Sequence, residues 1–573
     1  MVNKNFKEKR LVTSALPYIN NIPHLGHIVG CHLPADIFAR YSRLNGYETL
    51  FVGGSDENGS PCEMAAEKIG IPLEKFLDFL HKEHKRIYDW FDISYDNFSR
   101  TTSKIHHETT KEVFKKIYEN GYIKVDKIKV FYSEKENRFL PDRYVVGTCP
   151  KCGYEEANGD QCEKCTSLLD PTQLINPRSS VSNSDVEIRE TEHLFLDLEK
   201  LSPKLKKWIE GQKHWRNQVS SLALGWIKEG LKPRCITRDL KHGVSVPLKG
   251  FEEKVFYVWF DAPIGYLSAT KEISPENWKD FWIGNNSKTY QFLGKDNIPF
   301  HTIFWPGMIL SQGELNLPYQ VVGLQYLNYE GGKFSKSKKR GVFCEKLSDL
   351  DLNSDVWRAY LTQIIPETTD SEFKWKEFQE RINSDIIGNF GNFFNRVLTF
   401  IKNKANGEIE EPLEKDLDEF DKRLLNSLKE KYKSITDSLE KCEIRKAFFE
   451  LLALSSEGNK YFNDVEPWNL IKVDSLKAKK RLYLCVVLAR ALAILSSPFM
   501  PKTSQRIWEQ LGFSGKSNEF GNWEKAILTS LPKNHLIGNP GILFKQISDQ
   551  DIENYKLIVA KGVELEEFFK SNK

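Results

Sequence analysis

His24-Leu25-Gly26-His27 falls where a short apolar strand, Arg10 to Ala15, runs through a proline-containing loop, Leu16 to Pro23, into helical spacing from Ile28 to Leu44. A second strand, Glu48 to Gly53, follows Asn45-Gly46. Strand, loop, helix, strand is the opening of a doubly wound parallel sheet, whose ligands lie at the carboxyl ends of its strands. This order constrains the chain most, because the basic loop that answers it, Lys333-Phe334-Ser335-Lys336-Ser337, comes far downstream. For both to meet one ligand, the sheet has to be split and completed late in the sequence.

Strand signals return at Lys254 to Trp259, Thr289 to Gly294 and Tyr319 to Gly323, and these are expected to supply the second half of the sheet. From Ile69 to Tyr122 the pattern stays helical, and from Ile123 to Thr148 it turns β-like. Beyond Trp375 the 3.6-residue period dominates, at Asp385 to Lys404, Glu414 to Glu457, Ser475 to Leu495 and Thr503 to Leu511, so the last third reads as a helix bundle. The fold class is therefore α/β, a split Rossmann-like sheet with an insertion, followed by an α-helical bundle. The expected division is 1–122 and 244–328 for the two halves of the sheet and 123–243 for the insertion. Then come 329–384 for the basic loop and a linker, 385–540 for the bundle, and 541–573 for a segment packing back on the body.

A chain of 573 residues allows roughly three to five domains. With 28% charged residues and no apolar run of the ~18 residues that span a membrane, a soluble protein is expected. The polar first ten residues carry no apolar signal region, so the cytoplasm is the expected compartment. The net charge of only +3 means that any polyanion is met by a local patch.

Gly26 has no Cβ, so an adenine ring can lie against its backbone while the following helix N-terminus and the imidazole N–H groups face phosphates. His24 and His27 can then donate to oxygens that gain charge when an α-phosphate is attacked. Gly331-Gly332 and Gly341 flank the basic loop as hinges, and Lys333 and Lys336 can neutralise departing pyrophosphate. Either motif alone also fits surface histidines or a solvated basic loop. Together they make a divided triphosphate clamp, suited to activating a carboxylate with ATP.

Of ten cysteines, Cys149, Cys152, Cys162 and Cys165 form two CxxC turns, with Gly153 and Gly159 expected to supply tight turns. In a reduced compartment four thiolates at this spacing match tetrahedral zinc, one ion per chain, with no position left for a substrate. The zinc expected in the knuckle at 149–165 is therefore structural. The other six, Cys31, Cys62, Cys235, Cys344, Cys442 and Cys485, read as small buried hydrophobes.

Flanking residues sharpen this. Ala15-Leu16-Pro17-Tyr18-Ile19-Asn20, Phe51 to Gly59, Tyr257 to Tyr266, Phe292-Leu293-Gly294-Lys295-Asp296 and Phe300-His301 to Phe304-Trp305-Pro306 resemble the class I aminoacyl-tRNA synthetases, the methionyl family in particular, over roughly residues 8 to 550. The resemblance implies ATP-dependent formation of methionyl-adenylate, then transfer to the terminal adenosine of tRNA(Met), initiator and elongator, with magnesium accompanying ATP. Tyr18, Gly294 and Asp296 would join the ATP site. An unbranched, polarizable thioether suits an adaptable aromatic pocket, and Leu16, Tyr18, Trp259, Pro263, Tyr266, Phe300, His301 and Trp305 are the expected walls, with Asp56 taking the ammonium. Phe300 and Trp305 also fit a second layer of plain core packing. By the same resemblance the knuckle helps hold the insertion near the acceptor end of tRNA, and Asn392, Arg396 and Trp468 read the CAU anticodon. Homocysteine would be rejected in the active site as its thiolactone, because the insertion is too short for a hydrolytic domain.

One departure is Asp56-Glu57-Asn58-Gly59, where many relatives have histidine before the glycine. Three alternatives stand beside this reading: another class I synthetase such as the cysteinyl enzyme, a small nucleotidylyltransferase sharing HxGH, and an inactive tRNA-binding paralogue. A monomer is expected, because no oligonucleotide-binding barrel follows the bundle.

Overall fold

The computed structural model describes residues 6–560, 565 and 569, apart from 141, 160, 161, 163, 166, 168, 335–339 and 520–522. Its strands are β1 (Lys9–Ser14), β2 (Glu48–Ser55), β3 (Asn97–Arg100), β4 (Ile123–Ser133), β5 (Arg138–Leu140), β6 (Val145–Thr148), β7 (Ala157–Asn158), β8 (Ile175–Ser179) and β9 (Glu187–Leu196). After them come β10 (Arg234–Cys235), β11 (Thr237–Arg238), β12 (Val255–Phe256), β13 (Ser287–Gly294) and β14 (Gln320–Leu324), with two short strands, Leu327–Tyr329 and Ser371–Phe373, beyond.

The split is seen directly in the main sheet, which is parallel throughout with strand order β14-β13-β1-β2-β3. Thr13 of β1 pairs with Val52 on one side and with Gln291 on the other. The strands are apolar runs because helices cover both faces. The carboxyl ends of β1, β2 and β13 therefore meet, and the sequence motifs follow each of them.

Three expectations need correction. The span Ile69–Tyr122 is not wholly helical, since Asn97–Arg100 forms the edge strand β3 beside β2; only four residues long, it is too short to show a period against its helical flanks. Lys254–Trp259 does not join the main sheet. Its strand is only Val255 and Phe256, paired antiparallel with β11, and Val258–Asp261 is a helical turn. Glu414–Glu457 is two helices, Glu419–Glu440 and Ile444–Asp464, broken where Cys442 adopts a left-handed φ of 57°.

The insertion holds a four-stranded sheet, β10-β9-β4-β5, and a smaller one, β7-β6-β8. Phe131, Leu140, Tyr144 and Val145 form its own small core, whereas the main core runs unbroken from Leu11 and Val12 into the helix Ser475–Ser496. Ile542–Ile547 returns to the body without forming a strand: the side chains of Gln379 and Asn383 donate to the Ile547 carbonyl, and Leu543, Phe544 and Ile547 are buried. No helix among the described residues is long and apolar enough to cross a membrane.

Candidate active site

The loop after β1 and the loop after β2 are tied by their backbones. The Asp56 N–H donates to the Pro17 carbonyl at 2.9 Å, and the Ile19 N–H to the Asp56 carbonyl at 3.2 Å. Tyr18, in this loop, therefore stands beside Asp56 where β1 and β2 end.

His24 caps the short helix Leu25–His27, and its Nδ1 accepts the Gly26 N–H at 3.0 Å. His27 Nδ1 accepts the His24 N–H at 3.1 Å. With both Nδ1 atoms used as acceptors, each neutral ring carries its proton on Nε2 and has that N–H to offer. Burial pushes His24 well below the usual imidazole range, helped by His27, and pushes His27 down to about 4. Both rings are thus neutral hydrogen-bond donors at physiological pH. Gly26 is needed for this packing, since a Cβ there would lie 2.8 Å from His24 Cε1.

The downstream loop closes on the same place. Phe334 stacks on His24 with centroids 4.5 Å apart, the Leu25 N–H donates to the Val342 carbonyl at 3.2 Å, and the Cys344 N–H donates to the Pro23 carbonyl at 2.9 Å. Gly341, at φ 143°, passes so near that a Cβ would fall 2.4 Å from Phe334. Lys333 is exposed, its Nζ 5.7 Å from the centre of the Tyr326 ring, and the Tyr326 hydroxyl donates to Asp296. Gly294 ends β13, and Asp296 and Lys333 both stand against Tyr326. Lys336 lies outside the described residues.

Asp56 is buried and its Oδ1 has no hydrogen-bond partner. Burial, with the neighbouring Asp261 and Glu57, raises it well above the usual carboxylate range. Glu57 is spoken for, gripped by Arg100 at 2.8 and 3.0 Å and by Thr102. Asn58, the departure from the usual histidine, donates to Asp261 Oδ2 at 2.5 Å, and His106 Nε2 lies 3.5 Å from the same oxygen. Nothing local in the sequence marks His106, and Asp261 lies within the stretch Tyr257 to Tyr266 without a signal of its own.

The aromatic residues gather beside Asp56. Leu16 Cδ2 packs against the backbones of Gly54 and Gly265, where Cβ atoms would lie 3.6 and 2.8 Å away. Trp259 meets Phe300 edge to face at 5.7 Å, and Pro263 precedes the helix that carries Tyr266. His301 Nδ1 donates to the Asn297 carbonyl at 3.0 Å, leaving Nε2 to accept the Tyr266 hydroxyl at 2.9 Å. Burial lowers His301 to about 4, so this chain of bonds is neutral. Trp305 sits deeper, fully buried and edge-on to Trp282 at 6.1 Å.

In the insertion, Cys149 and Cys165 sulfurs are 3.8 Å apart and Cys152 and Cys162 sulfurs 3.6 Å apart, with all four within 4.8 Å of one another. A tetrahedral ion with ~2.3 Å bonds to sulfur requires edges of about 3.8 Å, so the four residues fit such an ion. Gly153, at φ 71°, makes the first turn; the Gly159 N–H instead bonds to the Val145 carbonyl.

Residues 10–398 match the family model described as tRNA synthetases class I (M). The chain belongs to the class I methionyl-tRNA synthetases. Residues 412–561 of this synthetase match the model for the anticodon binding domain of methionyl tRNA ligase. It is 43% identical over 556 residues to methionine–tRNA ligase 1 of Acaryochloris marina, covering 95% of this chain and 98% of that relative. With the methionine–tRNA ligase of Aeropyrum pernix it shares 40% over 558 residues, covering 96% and 97%. Its fold is similar to that of Mycobacterium tuberculosis methionyl-tRNA synthetase in complex with methionyl-adenylate, with a TM-score of 0.78 and 25% identity over 94% of this chain and 99% of that one.

In the synthetase's bundle, Asn392 and Arg396 share one side of the helix Asn392–Lys404 and face the helix Ile444–Asp464. Asn392 donates to Asn459 at 3.3 Å and Arg396 to Asn463 at 2.6 Å. Arg396 also lies 5.0 Å over the Phe462 ring, and Phe462 meets Trp468 at 6.1 Å. Trp468 is 37% exposed at the start of the helix Pro467–Val473, where Glu466 takes a φ of 43°. The asparagine rungs Asn459 and Asn463 were missed, because their spacing reads as an ordinary polar face.

Proposed function

We propose that this methionine–tRNA ligase binds methionine with its ammonium on Asp56 and its side chain among Leu16, Tyr18, Trp259, Pro263, Tyr266, Phe300 and His301, with Trp305 supporting from behind. The carrying observation is the partnerless oxygen of buried Asp56, raised by burial and by Asp261, where an arriving cation restores the charged form. The methionine carboxylate then attacks the α-phosphate of ATP in line. His24 and His27 donate from Nε2 to the oxygens that gain charge, and Lys333 and Lys336 neutralise the leaving pyrophosphate, to which the magnesium arriving with ATP as co-substrate would add positive charge. Tyr18, Gly294 and Asp296 border the nucleotide. No side chain acts as a nucleophile, so rate comes from positioning and charge stabilisation.

The four knuckle thiolates would hold a zinc ion, which orders a segment with too small a core of its own. The halves 1–122 and 244–328 form the adenylate site, 123–243 meets the acceptor end of tRNA(Met), 329–384 links, and 385–540 reads the anticodon through Asn392, Arg396 and Trp468. Support for the last role is an exposed indole packed on Phe462, the ring that also carries the Arg396 guanidinium; exposed aromatic rings are surfaces on which bases stack.

Exchange of pyrophosphate into ATP, measured across the twenty amino acids, tests this reading. Exchange with methionine, abolished in Lys336→Ala and weakened in methionine affinity by Asp56→Asn, is expected. Normal methionine affinity in Asp56→Asn would overturn the assignment of the pocket.

A further inference from the structure

Asn58 joins two turns that come from distant parts of the chain. Its own turn, Asp56 to Gly59, is fixed to the first strands of the main sheet: the Asp56 N–H donates to the Pro17 carbonyl at 2.9 Å, and the Glu57 N–H to Thr101 Oγ1, just past β3, at 2.9 Å. The buried Asn58 side chain then reaches outward. Its Nδ2 donates to the Thr101 carbonyl at 3.3 Å and to Asp261 Oδ2 at 2.5 Å. With both N–H groups used, the amide is held with its nitrogen toward Asp261.

Asp261 ends the helical turn Val258–Asp261, which carries Trp259, and is fully buried. His106 Nε2 lies 3.5 Å from the same Asp261 oxygen. His106 Nδ1 is 3.0 Å from the hydroxyl of Ser268, on the helix Ile264–Ile273 that also carries Tyr266. That hydroxyl donates to the Gly265 carbonyl at 3.1 Å, so it accepts from Nδ1. Asp261 is therefore anchored with Trp259 and Tyr266, and Asn58 with Asp56.

An apolar contact crosses beside the polar one. Gly59, at φ 97°, passes under Val258, where a Cβ would fall 3.3 Å from the valine Cβ. This contact limits how closely the two turns approach, and the directional Asn58–Asp261 bond fixes how they are aligned. Methionine with its ammonium on Asp56 and its thioether among Trp259 and Tyr266 spans both turns. Their separation is then a dimension of the pocket.

We propose that Asn58 and Asp261 are positioning residues for methionine, their hydrogen bond setting the distance between the ammonium anchor and the Trp259 wall, a role that rests on Asp56 taking the ammonium. Removing the donor lets the two turns shift and leaves the Asp261 oxygen buried without its 2.5 Å partner. The residues assigned to the triphosphate, His24, His27 and Lys333, lie on other segments, so ATP binding is spared.

Pyrophosphate exchange by the full-length enzyme, with methionine and ATP varied separately, tests this. Asn58→Leu and Asp261→Leu keep the bulk and remove the donor or the acceptor. Each is expected to raise the KM for methionine about 10- to 100-fold, the loss of one buried bond to a charged group. The KM for ATP and kcat should stay within about twofold, because the interaction lost is one that serves binding. The double variant should lose no more than the worse single, since both remove the same bond. Asp261→Asn keeps the size and an accepting oxygen and should raise the KM for methionine about three- to tenfold, a reading that stands even if the leucine variants do not fold. A normal methionine KM in Asp261→Asn beside a raised one in Asp56→Asn would overturn the positioning role and leave the ammonium site standing. A normal KM in Asp56→Asn would overturn both. Additive losses in the double variant, or losses of equal size in kcat or in ATP affinity, would also overturn the positioning role.

Discussion

The Arg358 guanidinium lies 2.7 Å from the Asp36 carboxylate, and neither side chain reaches solvent. Asp36 belongs to the helix Leu33–Leu44, which continues from the His24–His27 turn, and Arg358 to the helix Ser354–Gln363. Arg358 also donates to the carbonyls of Phe91, Pro498 and Phe499, so one side chain joins the first half of the main sheet, the helix Ser354–Gln363 and the bundle. Arg358→Met is expected to cost about 3–5 kcal/mol, as breaking a buried pair does, measured by urea unfolding. Burial opposes ionisation of Asp36, but Arg40, Arg358 and Ser94 together hold it below its ordinary 3.8. A depressed carboxylate contributes stability above that value and loses it as pH falls through the folded pKa. The gap between wild type and variant should therefore narrow in acid below about pH 3.8.

Asp56 has the opposite sign. Its pKa is raised, so its contribution is favourable only below 3.8 and turns into a cost as pH rises through the folded value. Asp56→Asn should raise the thermal midpoint of the free enzyme at neutral pH while kcat/KM for methionine falls by about 2–4 kcal/mol, roughly 30- to 1,000-fold. Calorimetry and pyrophosphate exchange on the same preparation check both halves.

His24→Ala and His27→Ala should each lower the rate of adenylate formation by about 10²–10³, the usual loss for one preorganised donor. Because His27 titrates near 4 and His24 well below 6.5, the rate should show no histidine limb between pH 6 and 8. Single-turnover rates across that range would show it.

Trp468→Ala should weaken aminoacylation of tRNA(Met) by about 1–3 kcal/mol, read as a higher KM for tRNA. Asn463→Ala, which frees the Arg396 guanidinium, should produce a smaller effect in the same direction.

Chelation should remove one zinc per chain, detected by a colorimetric metal assay, and with it about 10–16 kcal/mol of local ordering. Hydrogen exchange should then rise in β6, β7 and β8 and leave β1 and β13 protected, since the knuckle has a core separate from the main one.

The sequence by itself determined the parallel sheet, its division, the four-cysteine cluster and the helical last third, and it marked the His24–His27 and Lys333–Phe334 segments that the fold brings together. Each is written as a local pattern: an apolar run, a glycine-flanked motif, a CxxC pair, a 3.6-residue period. It did not reveal β3, whose four residues are too few for a period, nor the break at Cys442, where a polar helix end resembles its neighbours. Only the tertiary structure decided that one oxygen of Asp56 is left without a partner while Glu57 beside it is held by Arg100 and Thr102, that His106 reaches Asp261, and that Arg358 fastens three regions together. Those properties depend on which distant groups share a low-dielectric interior, and a charge there is set by its neighbours in space, which lie far apart along the chain.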